Sequence, residues 1–217
     1  MKLPEDIRYI AIEGVIGVGK STLAHILSKR YQARLLSEIF EENPFLEKFY
    51  ENKNAYAFQT QLFFLLSRHR QLKASFEQQD LFVNCTVSDY CYDKDRIFAS
   101  INLKEDELRM YDTVAQSLNI GLPKPDYIIY LQGNSDVLQG RIEKRNRTME
   151  QNMDPAYLKA LIHTYSNHFF NYSDCPVLTI NTDQIDFVEN ESDLEDLLKV
   201  IDRFPAGKNF YNPSSLL

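Results

Sequence analysis

The chain has 217 residues, 44% hydrophobic and 25% charged, the ordinary composition of one soluble globular domain large enough to bury a core. Its formal charge of −7 argues against general binding to nucleic acid or an anionic membrane, because phosphate backbones demand a basic face. Cys85, Cys91 and Cys175 show neither metal-ligand spacing nor a disulfide framework. Reduced thiols in the cytoplasm are the expectation. Met1–Asp6 lacks the apolar run of a signal peptide, and Leu62–Leu66, the longest apolar run, is too short to cross a bilayer.

Along the chain, Tyr9–Ile12 reads as a buried parallel strand. It leads into Gly14-Val15-Ile16-Gly17-Val18-Gly19-Lys20-Ser21, which fits the P-loop pattern G-x-x-x-x-G-K-[ST]. The glycines let the backbone aim its N–H groups at phosphates, Lys20 reaches the β- and γ-phosphates, and the Ser21 hydroxyl suits Mg²⁺. Ser21–Tyr31 carries Leu23, Ile26 and Leu27 at helical spacing, so a helix N-terminus faces the same anion and Thr22 joins the site. Ala33–Ser37 is a second short strand ending at Glu38, and residues 54–79 form one long helix free of Gly and Pro. That helix carries Phe58 and Leu62–Leu66 and is apolar nearly all round, so the domain core covers one side and a partner subunit the other. A β-rich run from Leu81 to Ser88 ends at Asp89. Further strands at Tyr127–Leu131 and Val177–Ile180 alternate with helices at Asp136–Asn146, Pro155–Tyr172 and Ser192–Arg203.

Five strands alternating with helices predict a doubly wound α/β P-loop kinase fold, a five-stranded parallel sheet flanked by helices, spanning 1–217 with an arginine-rich lid at about 141–153. Ligands of such sheets gather beyond the carboxyl ends of the strands, where the P-loop, Glu38 and Asp89 all fall. Asp89 is placed to hold Mg²⁺ with Ser21, and Glu38 to take a proton from an acceptor hydroxyl. Arg141 and Arg145, four residues apart, share a helix face and with Arg147 form a clamp for a transferring phosphoryl group.

With these residues in view, the chain resembles the deoxynucleoside kinases, the family of deoxycytidine, deoxyguanosine and deoxyadenosine kinases, from the P-loop to roughly residue 157. The resemblance implies that Glu38 is the general base on the 5′-hydroxyl, and that Tyr50, Gln61 and Arg68 line the nucleoside pocket. It implies further that Asp95 completes base recognition and that Tyr50 and Glu150 bind the 3′-hydroxyl. Arg141, Arg145, Arg147 and Glu150 match the family's lid, and Tyr157-Leu158 follows it as the family pattern does. Two departures stand out. The family follows its third-strand carboxylate with Arg and Ser, whereas this chain has Asp89-Tyr90-Cys91. Lys94, one turn on if the segment is helical, is expected to take part of that arginine's role. The family's Trp is missing too, leaving Phe40, Phe45 or Tyr56 to fill its volume.

The expected activity is transfer of the ATP γ-phosphoryl group, with Mg²⁺, to the 5′-hydroxyl of a small deoxynucleoside by a cytoplasmic homodimer. By resemblance, Gln61, Arg68 and Asp95 favour a purine deoxynucleoside or deoxycytidine, and Phe64, one turn from both Gln61 and Arg68, tightens the pocket. A thymidylate kinase-like monophosphate kinase and a non-catalytic nucleotide-binding regulator remain the alternatives. A GTPase would need an N-K-x-D motif, which Asn181-Thr182-Asp183-Gln184 does not supply.

Overall fold

A run such as Tyr9–Ile12, apolar on both faces of a strand, is stable only where both faces are covered. In the computed structural model, which describes residues 3–40, 42–77, 84–147 and 153–213, every residue of β1 (Tyr9–Gly14) is buried. Strands β2 (Arg34–Leu36), β3 (Thr86–Ser88), β4 (Tyr127–Gln132), β5 (Val177–Asn181) and β6 (Lys208–Tyr211) complete a sheet ordered β2-β3-β1-β4-β5-β6, all pairs parallel. Ala11 lies opposite both Ser88 and Ile128, which fixes β1 between β3 and β4. The chain leaves β1 toward β2 and returns past it after β3, so the order reverses beside the carboxyl ends of β1 and β3.

The sheet has six strands rather than the five expected. The missed strand, Lys208–Tyr211, lies at the sheet edge with alternate residues exposed. A half-solvated run of four residues leaves no continuous apolar signal. Among the described residues of the run at 81–88, only Thr86–Ser88 is strand; residues 81–83 lie outside the described residues.

The helices are α1 (Lys20–Tyr31), α2 (Leu46–Glu51), α3 (Lys53–Glu77), α4 (Asp93–Asn102), α5 (Glu105–Leu118), α6 (Ser135–Arg145), α7 (Pro155–Asn171) and α8 (Glu191–Ile201). Sequence reasoning left α4 and α5 unassigned. Acidic residues in the first turn of each favour the helix dipole, and Glu107 Oε2 accepts from the Lys104 N–H at 3.0 Å to start α5. On α3, Leu65 and Leu72 are wholly buried, Phe58, Leu62, Phe63 and Phe64 half-buried, and Leu66 40% exposed, so the chain itself covers most of that apolar helix.

Behind the sheet, α7 packs an aromatic column on β4: the Phe169 ring stacks on Tyr130 at 4.6 Å and tilts against Tyr165 at 6.1 Å. Phe169 is 2% exposed whereas its neighbour Phe170 is 70% exposed. Phe169→Ala is expected to cost about 3–5 kcal/mol in urea unfolding, and Phe170→Ala about 0.5 kcal/mol or less.

Candidate active site

The P-loop joins β1 to α1 in a geometry that needs glycine at Gly14, Gly17 and Gly19, all with positive φ. Gly14 has φ 148°, and a Cβ there would collide with the Leu131 carbonyl. Gly19, with φ 104°, caps α1, and a Cβ would lie 2.6 Å from Phe187 Cζ. The loop between β5 and α8 therefore packs directly on the P-loop. Lys20 Nζ donates across the loop to the Val15 carbonyl at 3.1 Å. Burial, with the nearby Lys94 ammonium, lowers the Lys20 pKa to about 8.

Ser21 Oγ donates to Asp89 Oδ2 at 2.5 Å, and Asp89 Oδ1 accepts the Glu38 N–H at 2.8 Å. The first turn of α1 is thus tied to the ends of β2 and β3. A hydroxyl and a carboxylate side by side fit Mg²⁺, which takes one or two carboxylates and keeps several waters. No cluster of three His, Cys, Asp or Glu suited to a metal occurs among the described residues, and such a site does not need one.

Glu38 is the hub. Arg68 on α3 donates to its Oε1 through Nε at 2.9 Å and again through an Nη, and Lys94 on α4 donates to Oε2. Burial alone would raise the Glu38 carboxyl, but Arg68 and Lys94 outweigh it and hold the group well below the usual carboxylate range. The other Nη of Arg68 pairs with Asp95, whose second carboxylate oxygen is buried with no protein partner. The guanidinium also lies 4.8 Å over the Phe64 ring.

Glu38, Arg68 and Lys94 edge a cleft of about 900 Å³, counted with the solvent at its mouth, whereas Asp95 reaches it only through Arg68. Gln61, Phe64 and Arg68 of α3 line it together with Phe40, Phe49, Tyr50, Phe98 and Tyr157. Of the aromatics expected to replace Trp, Phe40 lines the cleft, whereas Phe45 and Tyr56 do not. A second cleft adjoins it over the P-loop, lined by Gly17, Gly19, Lys20, Ser21 and Thr22 beneath Arg141, Arg145 and Arg147. Lys20, Ser21, Arg145 and Arg147 face both clefts, so a phosphate donor in one and an acceptor in the other would meet beside Glu38.

The three arginines expected to form a lid differ in what they do. Arg141 donates to the Thr182 hydroxyl and to the Thr182 and Ile185 carbonyls at 2.8–2.9 Å, pinning the β5–α8 loop. α6 ends at Asn146, in the left-handed region at φ 55°, so Arg147 leaves the helix line and its guanidinium sits 4.3 Å over Phe40. Glu150 lies outside the described residues, as do the other positions from 148 to 152 in the segment expected to be a lid.

Sequence reasoning missed Glu13, Phe187 and Phe98. Glu13, wholly buried on β1, accepts the Cys91 N–H at 2.6 Å and the Gly14 N–H at 3.2 Å. Burial raises its pKa, while Lys94 and Lys20 oppose the rise. A carboxylate inside an otherwise apolar strand was the available signal. Phe187 follows a strand on the ligand side of the sheet, and its place in a β5–α8 loop was the only hint.

A family model described as deoxynucleoside kinase matches residues 10–205. The chain is 38% identical over 191 residues to a deoxyguanosine kinase of Bacillus subtilis, covering 86% of this chain and 92% of that one. It is 30% identical over 199 residues to a deoxyadenosine/deoxycytidine kinase of the same organism, covering 88% and 90%. Among solved structures, the deoxyadenosine kinase from M. mycoides with bound dCTP superposes with a TM-score of 0.76 at 25% identity, covering 90% of this chain and 99% of that one. A phosphate-binding loop, a carboxylate in the adjoining cleft and similarity over nearly the whole chain agree: the protein belongs to the deoxynucleoside kinase family, phosphotransferases that act on nucleosides with a nucleotide phosphate donor.

Proposed function

We propose that this protein moves the γ-phosphoryl group of ATP to the 5′-hydroxyl of a deoxynucleoside, with a purine deoxynucleoside or deoxycytidine as acceptor. The observation that carries the reading is the position of Glu38, which lines one cleft together with Lys20 and Ser21, residues that also line the phosphate cleft. Glu38 accepts the 5′-hydroxyl proton as the oxygen attacks the γ-phosphorus, and the bond to the ADP oxygen breaks. The P-loop N–H groups and Lys20 hold the triphosphate, while Arg145 and Arg147 meet the charge on the transferring group. Arg141 serves by holding the β5–α8 loop against the P-loop. Ser21 and Asp89 would hold Mg²⁺, which when bound neutralises phosphate charge.

In the acceptor cleft, Gln61 supplies a donor and an acceptor to a base edge, and Arg68 and Asp95 extend that edge. The unpartnered Asp95 oxygen favours a base carrying an N–H donor. The names of the two Bacillus relatives point to the same substrates. Tyr50 and Glu150 are assigned to the sugar 3′-hydroxyl. The chain is read as one domain with its lid at about 141–153, working in the cytoplasm. No helix of the described residues is long and apolar enough to cross a membrane. A homodimer is proposed, because a second copy would cover apolar surface such as Leu66 that α3 leaves open.

ADP release should be followed with Mg-ATP against deoxyadenosine, deoxyguanosine, deoxycytidine, thymidine and the matching monophosphates. Turnover is expected on a free purine deoxynucleoside or deoxycytidine, and Glu38→Gln should lower kcat by about 10²–10⁴-fold. Turnover on monophosphates alone would move the assignment to a monophosphate kinase. In the same assay Gln61→Ala should lower kcat/KM for the preferred nucleoside by about tenfold or more, mainly through KM, with little change in KM for ATP.

A further inference from the structure

The chain carries no positive charge on residue 90, directly after the metal-side carboxylate Asp89. Tyr90 is wholly buried, and its hydroxyl donates to Gln71 Oε1 on α3 at 3.0 Å. Its ring lies 5.9 Å from the Arg68 guanidinium, so it packs beside the ionic cluster and adds no charge to it. The positive charge comes instead from Lys94, in the first turn of α4. Lys94 is 6% exposed, a rare state for lysine unless it is paired. Its ammonium bonds Glu38 Oε2 and borders the acceptor cleft.

The local architecture holds that ammonium in place. Glu13 accepts the Cys91 N–H and so ties the start of α4 to the P-loop strand. The Lys94 N–H donates to the Cys91 carbonyl at 3.3 Å, which closes the turn between the tether and the lysine. Glu38 is then gripped on both oxygens, by Arg68 from α3 and Lys94 from α4. Arg68 is shared with Asp95, so Lys94 is the cation whose side chain bonds Glu38 with no second carboxylate bond of its own among the described hydrogen bonds.

We propose that Lys94 is the positioning residue for Glu38, fixing the orientation of its carboxylate from α4 and supplying there the cation that position 90 lacks. The proposal rests on Glu38 being the acceptor-activating carboxylate. Lys94 acts through Glu38 and leaves the base-binding edge of Gln61 and Asp95 untouched, so its loss acts on turnover and not on nucleoside affinity.

The test is steady-state kinetics of the full chain with Mg-ATP and its preferred deoxynucleoside, for Lys94→Met, Lys94→Gln and Lys94→Arg, with thermal unfolding of each. Lys94→Met is expected to lower kcat about a hundredfold while KM for nucleoside and ATP stays within about threefold. Lys94→Gln should behave alike and gives the same reading should the Met variant lose its fold. Lys94→Arg should recover kcat to within about tenfold of the unaltered protein, because charge and donor return. A kcat within threefold of normal in Lys94→Met or Lys94→Gln, a loss carried by KM, or a Lys94→Arg variant no better than Lys94→Met would overturn the proposal. If the unaltered protein phosphorylates no nucleoside, the proposed function itself falls and this role falls with it. An active protein indifferent to Lys94 contradicts the positioning role alone.

Discussion

One buried ionic cluster, Arg68–Glu38–Lys94 with Asp95 attached, ties the parts of this molecule together. Removing such charges from water costs several kcal/mol per ion, and only close pairing offsets it. The pairs come from three separate segments: the loop after β2, the middle of α3 and the first turn of α4. The cluster forms only when those segments are seated against the sheet together. Taking away one partner would leave an uncompensated buried charge, at a cost of about 3–5 kcal/mol. The geometry proposed for catalysis and the local stability therefore rest on the same contacts.

The arrangement also reconciles an acidic protein with a polyanionic ligand. The formal charge is −7, yet Lys20, Arg145 and Arg147 converge where the two clefts meet. Glu13, Glu38 and Asp89 lie near enough to Lys20 to offset part of its buried positive charge. Asp89 links the hydroxyl of Ser21 to the backbone of Glu38, so the phosphate side and the acceptor side share one rigid carboxylate. The β5–α8 loop closes the remaining wall, held by Arg141 from one side and by the Phe187–Gly19 contact from the other.

Much of this was legible in the sequence because motif spacing carries it. The P-loop, the buried strands β1 and β4, and the convergence of Glu38 and Asp89 on the P-loop follow from contiguous patterns and strand-end positions. Gln61 and Arg68, two turns apart on a helix, could be placed on one face. The helix α4 was hidden because its buried face includes Lys94 and Asp95, polar residues that break the apolar period for the sake of the site. β6 was hidden because an edge strand needs only half an apolar pattern. Glu13 was passed over, since its meaning lies in Cys91, seventy-eight positions away. Arg141 shows the opposite limit: its spacing with Arg145 is visible, whereas its commitment to Thr182 and Ile185 depends on a loop that no periodicity predicts.

The most direct test of the account is a crystal structure of the protein with a purine deoxynucleoside and a non-hydrolysable ATP analogue. The account predicts the 5′-oxygen within about 3.2 Å of a Glu38 carboxylate oxygen and in line with the γ-phosphorus held over Lys20. A nucleoside bound with its 5′-oxygen turned away from Glu38, or seated outside the cleft of Gln61 and Arg68, would contradict it.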